Sequence, residues 1–130
     1  MQELVDGLIL YHGSYCEVRQ PEIRYGAKYK DFGQGFYLTS SREQARNFIQ
    51  TSVKKAGLSG RINAQQNYGY VSSYKFTSQK ELNIQIYPAA DTDWLHCIVA
   101  HRRKNTFPAV LKEMRKYDII GGKIANDNTN

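Results

Sequence analysis

Two short segments near the N-terminus carry the residue types that could hold a ligand. The first is Leu10-Tyr11-His12-Gly13-Ser14, the second Asp31-Phe32-Gly33-Gln34-Gly35-Phe36-Tyr37-Leu38-Thr39. A neutral imidazole has one donor and one acceptor, so His12 can hold a hydroxyl in one orientation. The face of Tyr37 can stack on a flat, electron-poor ring, more strongly if that ring is cationic. Gly13 and Gly35 let a ligand approach the backbone closely. Together the segments read as two halves of a clamp on a flat polar ligand. Each residue also has a plainer reading: a structural histidine at a strand end, a turn glycine, a core tyrosine in a chain with ten tyrosines. Phe48 belongs to an apolar helix stripe with Ala45 and Ile49.

The elements that must position these residues follow from local signals. Leu8 to Tyr11 reads as a buried strand and Gly35 to Leu38 as a second short one. Ser41 with Gln44 three residues on is a capping box, and Ala45, Phe48, Ile49 and Val53 continue at helical spacing to a stop at Gly57. Gly57 to Gly69 is a polar loop. Val71 to Phe76 and Leu82 to Tyr87 read as strands, the latter with Leu82, Ile84 and Ile86 alternating with polar residues. Asp91 or Thr92 caps a helix with Trp94, Leu95, Ile98 and Val99 on one face. Pro108 opens a short helix to about Lys116. Tyr117 to Ile120 returns as a strand ending at Gly121-Gly122. Strands and helices do not alternate strictly, which points to an α+β class.

The 130 residues, 41% of them hydrophobic, suffice for one domain with one core. No run approaches the roughly 18 apolar residues that span a bilayer. Glu3 and Asp6, with no basic n-region, argue against a signal peptide. Cys16 and Cys97 lack metal-ligand spacing, so no metal is expected and a reduced, cytoplasmic protein is. The net charge of +6 suits an anionic ligand or simply a soluble basic surface. Asp31-Phe32-Gly33 lacks every other kinase motif, and Gly33-Gln34-Gly35 lacks the βαβ context of a dinucleotide fingerprint. His96 and Cys97, adjacent on a helix, point about 100° apart. Cys16 has no orienting group that would make it a nucleophile.

His-Gly-Ser on a first strand followed by Gly-x-Gly-Phe-Tyr-Leu-Thr resembles the first two motifs of the ADP-ribosyltransferase fold, in its His-Tyr-Glu branch. That branch includes the poly-ADP-ribose polymerases and diphtheria-type toxins. Within it the chain is most similar to a family of small bacterial proteins that add a Trp-Leu helix (here Trp94-Leu95) and a late Tyr-Asp-Ile segment (Tyr117 to Asp127). The match spans about residues 8 to 127. It implies a split mixed β-sheet with flanking helices, and NAD as substrate. His12 would hold a ribose hydroxyl. The Gly13 backbone would pair with the nicotinamide carboxamide, because a peptide edge supplies a donor and an acceptor side by side. Tyr37 would stack on the nicotinamide, with Ser14, Gly35 and Phe48 around it. The acceptor of ADP-ribose, protein or nucleic acid, stays open. A toxin or defence role with a neutralising partner protein comes by analogy alone.

The fold's third motif, a Glu or Gln on a late strand, is expected beyond residue 127. Glu3, Glu17, Glu22, Glu43, Glu81 and Glu113 all lie before that strand, and nothing promotes Asp118 or Asp127 to catalyst. The catalytic residue is therefore unknown. The expectation is one domain over residues 1–130 with its C-terminal part missing and its activity impaired. The alternative is a non-enzymatic module that kept the fold and binds nucleic acid or protein.

Overall fold

A computed structural model describes residues 4–20, 35–77, 82–103 and 106–122. The Asp31-Phe32-Gly33 tripeptide and Asp127 lie outside the described residues. Internal contacts divide the chain into two compact units: residues 2–21 with 37–78, and residues 22–36 with 79–130.

The first unit is a helix laid on a two-stranded sheet. Strand β1 (Ile9–Ser14) pairs antiparallel with β2 (Tyr70–Lys75), His12 lying opposite Ser72 and Ser14 opposite Tyr70. Helix α1 (Arg42–Leu58) begins where the sequence predicts: the Ser41 hydroxyl accepts from the Gln44 N–H at 3.1 Å. The second half of the expected capping box is rerouted. The Ser41 N–H donates to the Thr39 hydroxyl, and that hydroxyl donates to the Gln44 side-chain oxygen at 2.9 Å. Thr39 therefore relays the cap. The helix runs one residue past Gly57, to Leu58, and the left-handed residue after it is Gly60, at φ 78°. Ala45 and Ala56 are its buried residues. With Ile49 and Ser52 they fall on one helical face, because i+4, i+7 and i+11 return to nearly the same direction.

This face is built for close approach. An ideal Cβ on Gly13 would sit 1.9 Å from the Ala45 carbonyl oxygen, and one on Gly69 would meet both Ile49 and the Ser14 carbonyl at 2.5 Å. Glycine at these two positions lets helix and strands touch backbone to backbone. Hydrogen bonds fix the segment after β1: the Tyr15 N–H donates to Ser52, the Gln66 amide donates to the Tyr15 carbonyl, and the Val18 N–H donates to Ser72. The Tyr74 hydroxyl donates to the Val18 carbonyl.

Residues 35–38 do not form the expected strand. Among the described residues, pairing to the side of β1 away from β2 is a single rung, Tyr11 with Thr39, its two hydrogen bonds at 2.7 and 2.9 Å.

The second unit holds β3 (Ile84–Ile86), α2 (Thr92–Arg102), α3 (Pro108–Met114) and β4 (Ile119–Gly121). β3 and β4 are parallel, so the two helices form the crossover that parallel neighbours require. In the first unit strand, helix and strand alternate but the strands are antiparallel, and in the second the parallel crossover carries two helices. The class is α+β, with two small sheets and three helices among the described residues. Asp91 caps α2, accepting from the Trp94 N–H at 3.0 Å. Its buried side is Cys97, Ile98 and Ala100, while Leu95 is half exposed, contrary to the face assigned from sequence. Tyr87, Cys97 and Met114 form the core, with Trp94, Val110, Tyr117 and Ile120 against it. Pro108 opens α3 as expected, after Phe107 in a left-handed conformation at φ 50° with its ring against His96.

Candidate functional site

The two N-terminal motifs meet in the first unit. Strand geometry explains how. In an antiparallel ladder the hydrogen-bonding groups of successive residues face opposite edges. The Tyr11–Thr39 rung fixes Tyr11 as facing away from β2, so Gly13 faces that same edge and His12 faces β2. A regular ladder would next pair Gly13 with Tyr37. Here the Tyr37 carbonyl is taken instead by the His12 side chain, Nδ1 lying 2.7 Å from it. Among the described residues no backbone group pairs with Gly13 on this edge. Its N–H and C=O thus remain a donor and an acceptor side by side, beside the His12 ring.

The His12 contact also sets the tautomer. A carbonyl only accepts, so Nδ1 carries the hydrogen of this bond.

The remaining candidates are placed as follows. Ser14, the last residue of β1, is buried. Tyr37 is half-buried, and its main chain is tied to His12. Phe48 is 39% exposed, on the flank of α1 about 60° from the Ala45 direction, so it is not a core residue of this helix. Gly35 belongs to the second unit. Two concavities of the first unit lie elsewhere: one is lined by Ile9, Tyr11, Arg42, Val71 and Ser73, the other by Glu43, Arg46, Asn47 and Gln50. Neither includes His12 or Tyr37.

Gly13 has a structural role that sequence reasoning did not see. Its missing Cβ is required by the Ala45 carbonyl on one face of the strand, whatever approaches the strand edge. Asp118 is likewise accounted for: its carboxylate accepts from the Asn83 N–H at 2.9 Å, and its own N–H donates to the Asn83 carbonyl at 2.8 Å. This clasp joins the segments leading into β3 and β4.

A histidine–cysteine pair does exist in the second unit, but not the adjacent one. His101 Nδ1 donates to the Cys97 carbonyl at 2.8 Å and lies 3.6 Å from its sulfur. The i, i+4 spacing was its visible signal. Burial raises the pKa of the Cys97 thiol, and the residue is fully enclosed, so it packs as a small apolar group. Burial also raises the pKa of the Tyr87 hydroxyl, whose proton goes to the Met114 sulfur at 3.2 Å. Among the described residues no group of three His, Cys, Asp or Glu side chains could hold a metal, and no helix is long and apolar enough to cross a membrane.

Fold and site together define a small α+β protein whose first strand carries a histidine and a glycine edge that no backbone group pairs with among the described residues. Residues 8–130 match the family described as "Protein of unknown function (DUF3990)", and the chain belongs to it. No curated protein and no solved structure matches the chain.

Proposed function

We propose that the first unit binds NAD as an ADP-ribosyltransferase-type site, with the nicotinamide end at the His12–Gly13–Tyr37 cluster. The observation that carries this reading is the His12 contact with the Tyr37 carbonyl, which draws together two motifs 25 positions apart beside an unpaired peptide edge. The carboxamide of nicotinamide would pair with the Gly13 N–H and C=O. A ribose hydroxyl would donate to His12 Nε2. Tyr37 would stack on the ring, with Ser14 shaping its approach and Phe48 covering its far face.

Cleavage of the nicotinamide–ribose bond builds positive charge on the ribose, which a carboxylate at the 2′-hydroxyl would stabilise. Asp118 is committed to Asn83 and is not assigned that role. The cluster therefore supplies binding and orientation, and transfer to an acceptor, protein or nucleic acid, would rest on a carboxylate not identified among these residues. A toxin-like role held in check by a partner protein is part of the same proposal.

Calorimetric titration with NAD tests it. The expected outcome is saturable binding, weakened about 5- to 150-fold in Tyr37→Ala by loss of a stacking contact worth about 1–3 kcal/mol. Saturable binding unchanged in both Tyr37→Ala and His12→Ala would remove the site.

A further inference from the structure

The side chains of β1 alternate between the two faces of its sheet. His12 and Ser14 lie on one face. Ile9, Tyr11 and the open position at Gly13 lie on the other, with Val71, Ser73 and Lys75 opposite them on β2. Helix α1 crosses that second face at Gly13 and leaves the rest of it uncovered among the described residues. The result is a groove of about 310 Å³ lined by Ile9, Tyr11, Arg42, Val71 and Ser73. Lys75 extends the same face, since its partner across the ladder is Ile9.

The chemistry of this groove is one-sided. Arg42 stands on the helix wall and Lys75 on the strand floor, both exposed, and Tyr11 and Ser73 add hydroxyl donors. None of its lining residues is acidic. Among the described residues neither cation is held in an ion pair. Glu43 falls with Arg46, Asn47 and Gln50 on the neighbouring concavity, around the helix from the groove. Two cations flanking an open trough suit a chain of negative charges more than one enclosed anion. The Tyr11 ring and the hydroxyls beside it suit phosphodiesters and bases more than a run of carboxylates.

We propose that this groove, on the sheet face opposite the His12 ring, binds single-stranded nucleic acid through its phosphates, with Lys75 and Arg42 as the contacts. The proposal does not depend on NAD binding at the other face.

Fluorescence anisotropy with a labelled single-stranded DNA of about 15 nucleotides tests it. Two phosphate contacts give a log–log salt slope of about −1.4, so affinity should fall about sevenfold between roughly 50 and 200 mM salt. Arg42→Glu/Lys75→Glu should weaken binding at least tenfold, and His12→Asn should leave it unchanged. If the charge-reversed protein melts early, Arg42→Gln/Lys75→Gln takes its place, with a smaller loss expected. Absence of binding at low salt, or affinity indifferent to these substitutions, overturns the proposal. So does poly-glutamate displacing the DNA at equal charge concentration, which would mark an acidic-protein site.

Discussion

Replacing Gly13 with alanine separates the two reasons for glycine at the centre of the proposed site. The new Cβ would stand 1.9 Å from the Ala45 carbonyl oxygen and 2.8 Å from its carbon. Ordinary contact begins near 3.4 Å, so α1 must retreat by about 1.5 Å at this crossing. The obstacle is main chain, and no rotamer change relieves it. Retreat loosens the contacts of Ala45 and Ile49 with the strands, and overpacking of this kind costs about 1–3 kcal/mol or more. For a chain of this size that is a fall in Tm of roughly 4–11 °C, readable by circular dichroism. Ala45→Gly should not rescue the variant, because the clashing atom is a backbone oxygen, and it should itself cost about 1 kcal/mol in the helix interior. A Gly13→Ala protein melting within a degree or two of the parent would refute this account of the helix–strand approach. It would leave ligand access as the reason for the glycine.

Further expectations follow from particular contacts. His12→Asn keeps a side-chain donor for the Tyr37 carbonyl but removes the Nε2 acceptor, so thermal stability should hold nearer the parent than in His12→Ala while NAD affinity falls in both. Ser41→Ala should cost about 1 kcal/mol in urea unfolding through loss of the α1 cap. His101 has its pKa lowered from 6.5 by burial, partly offset by its bond to the Cys97 carbonyl. The unfolded chain therefore takes up the proton first. Stability contributed by neutral His101 is complete above pH 6.5 and is lost as pH falls from 6.5 toward the folded-state pKa. Chemical denaturation across that range should show the loss, and His101→Gln should flatten it; an unchanged slope would remove His101 as its source.

Local signals in the sequence were legible where the physics is local. Ser41, Asp91 and Pro108 each opened the helix expected of them, because capping and fixed φ act within one turn. Faces were harder to read. Trp94, Leu95, Ile98 and Val99 form a plausible stripe, yet the crossover between β3 and β4 buries Cys97 and Ala100 and leaves Leu95 outside. That choice depends on the parallel pairing, which no local pattern announces. Phe36-Tyr37-Leu38 has strand composition, but the His12 side chain holds the Tyr37 carbonyl where a ladder would have used the Gly13 backbone, and one rung remains. At the candidate site, His12, Gly13 and Tyr37 stood out by type and spacing. The Gly13–Ala45 approach and the Thr39 relay at the α1 cap did not, because both arise from segments distant in the chain or from a side chain substituting for backbone.

The central claim is tested most directly by adding nicotinamide to isotopically labelled protein and following amide shifts by NMR. The account predicts saturable shifts centred on His12, Gly13 and Tyr37, with the Gly13 amide moving most because its N–H meets the carboxamide. A folded protein whose His12, Gly13 and Tyr37 amides stay still at millimolar nicotinamide would contradict it.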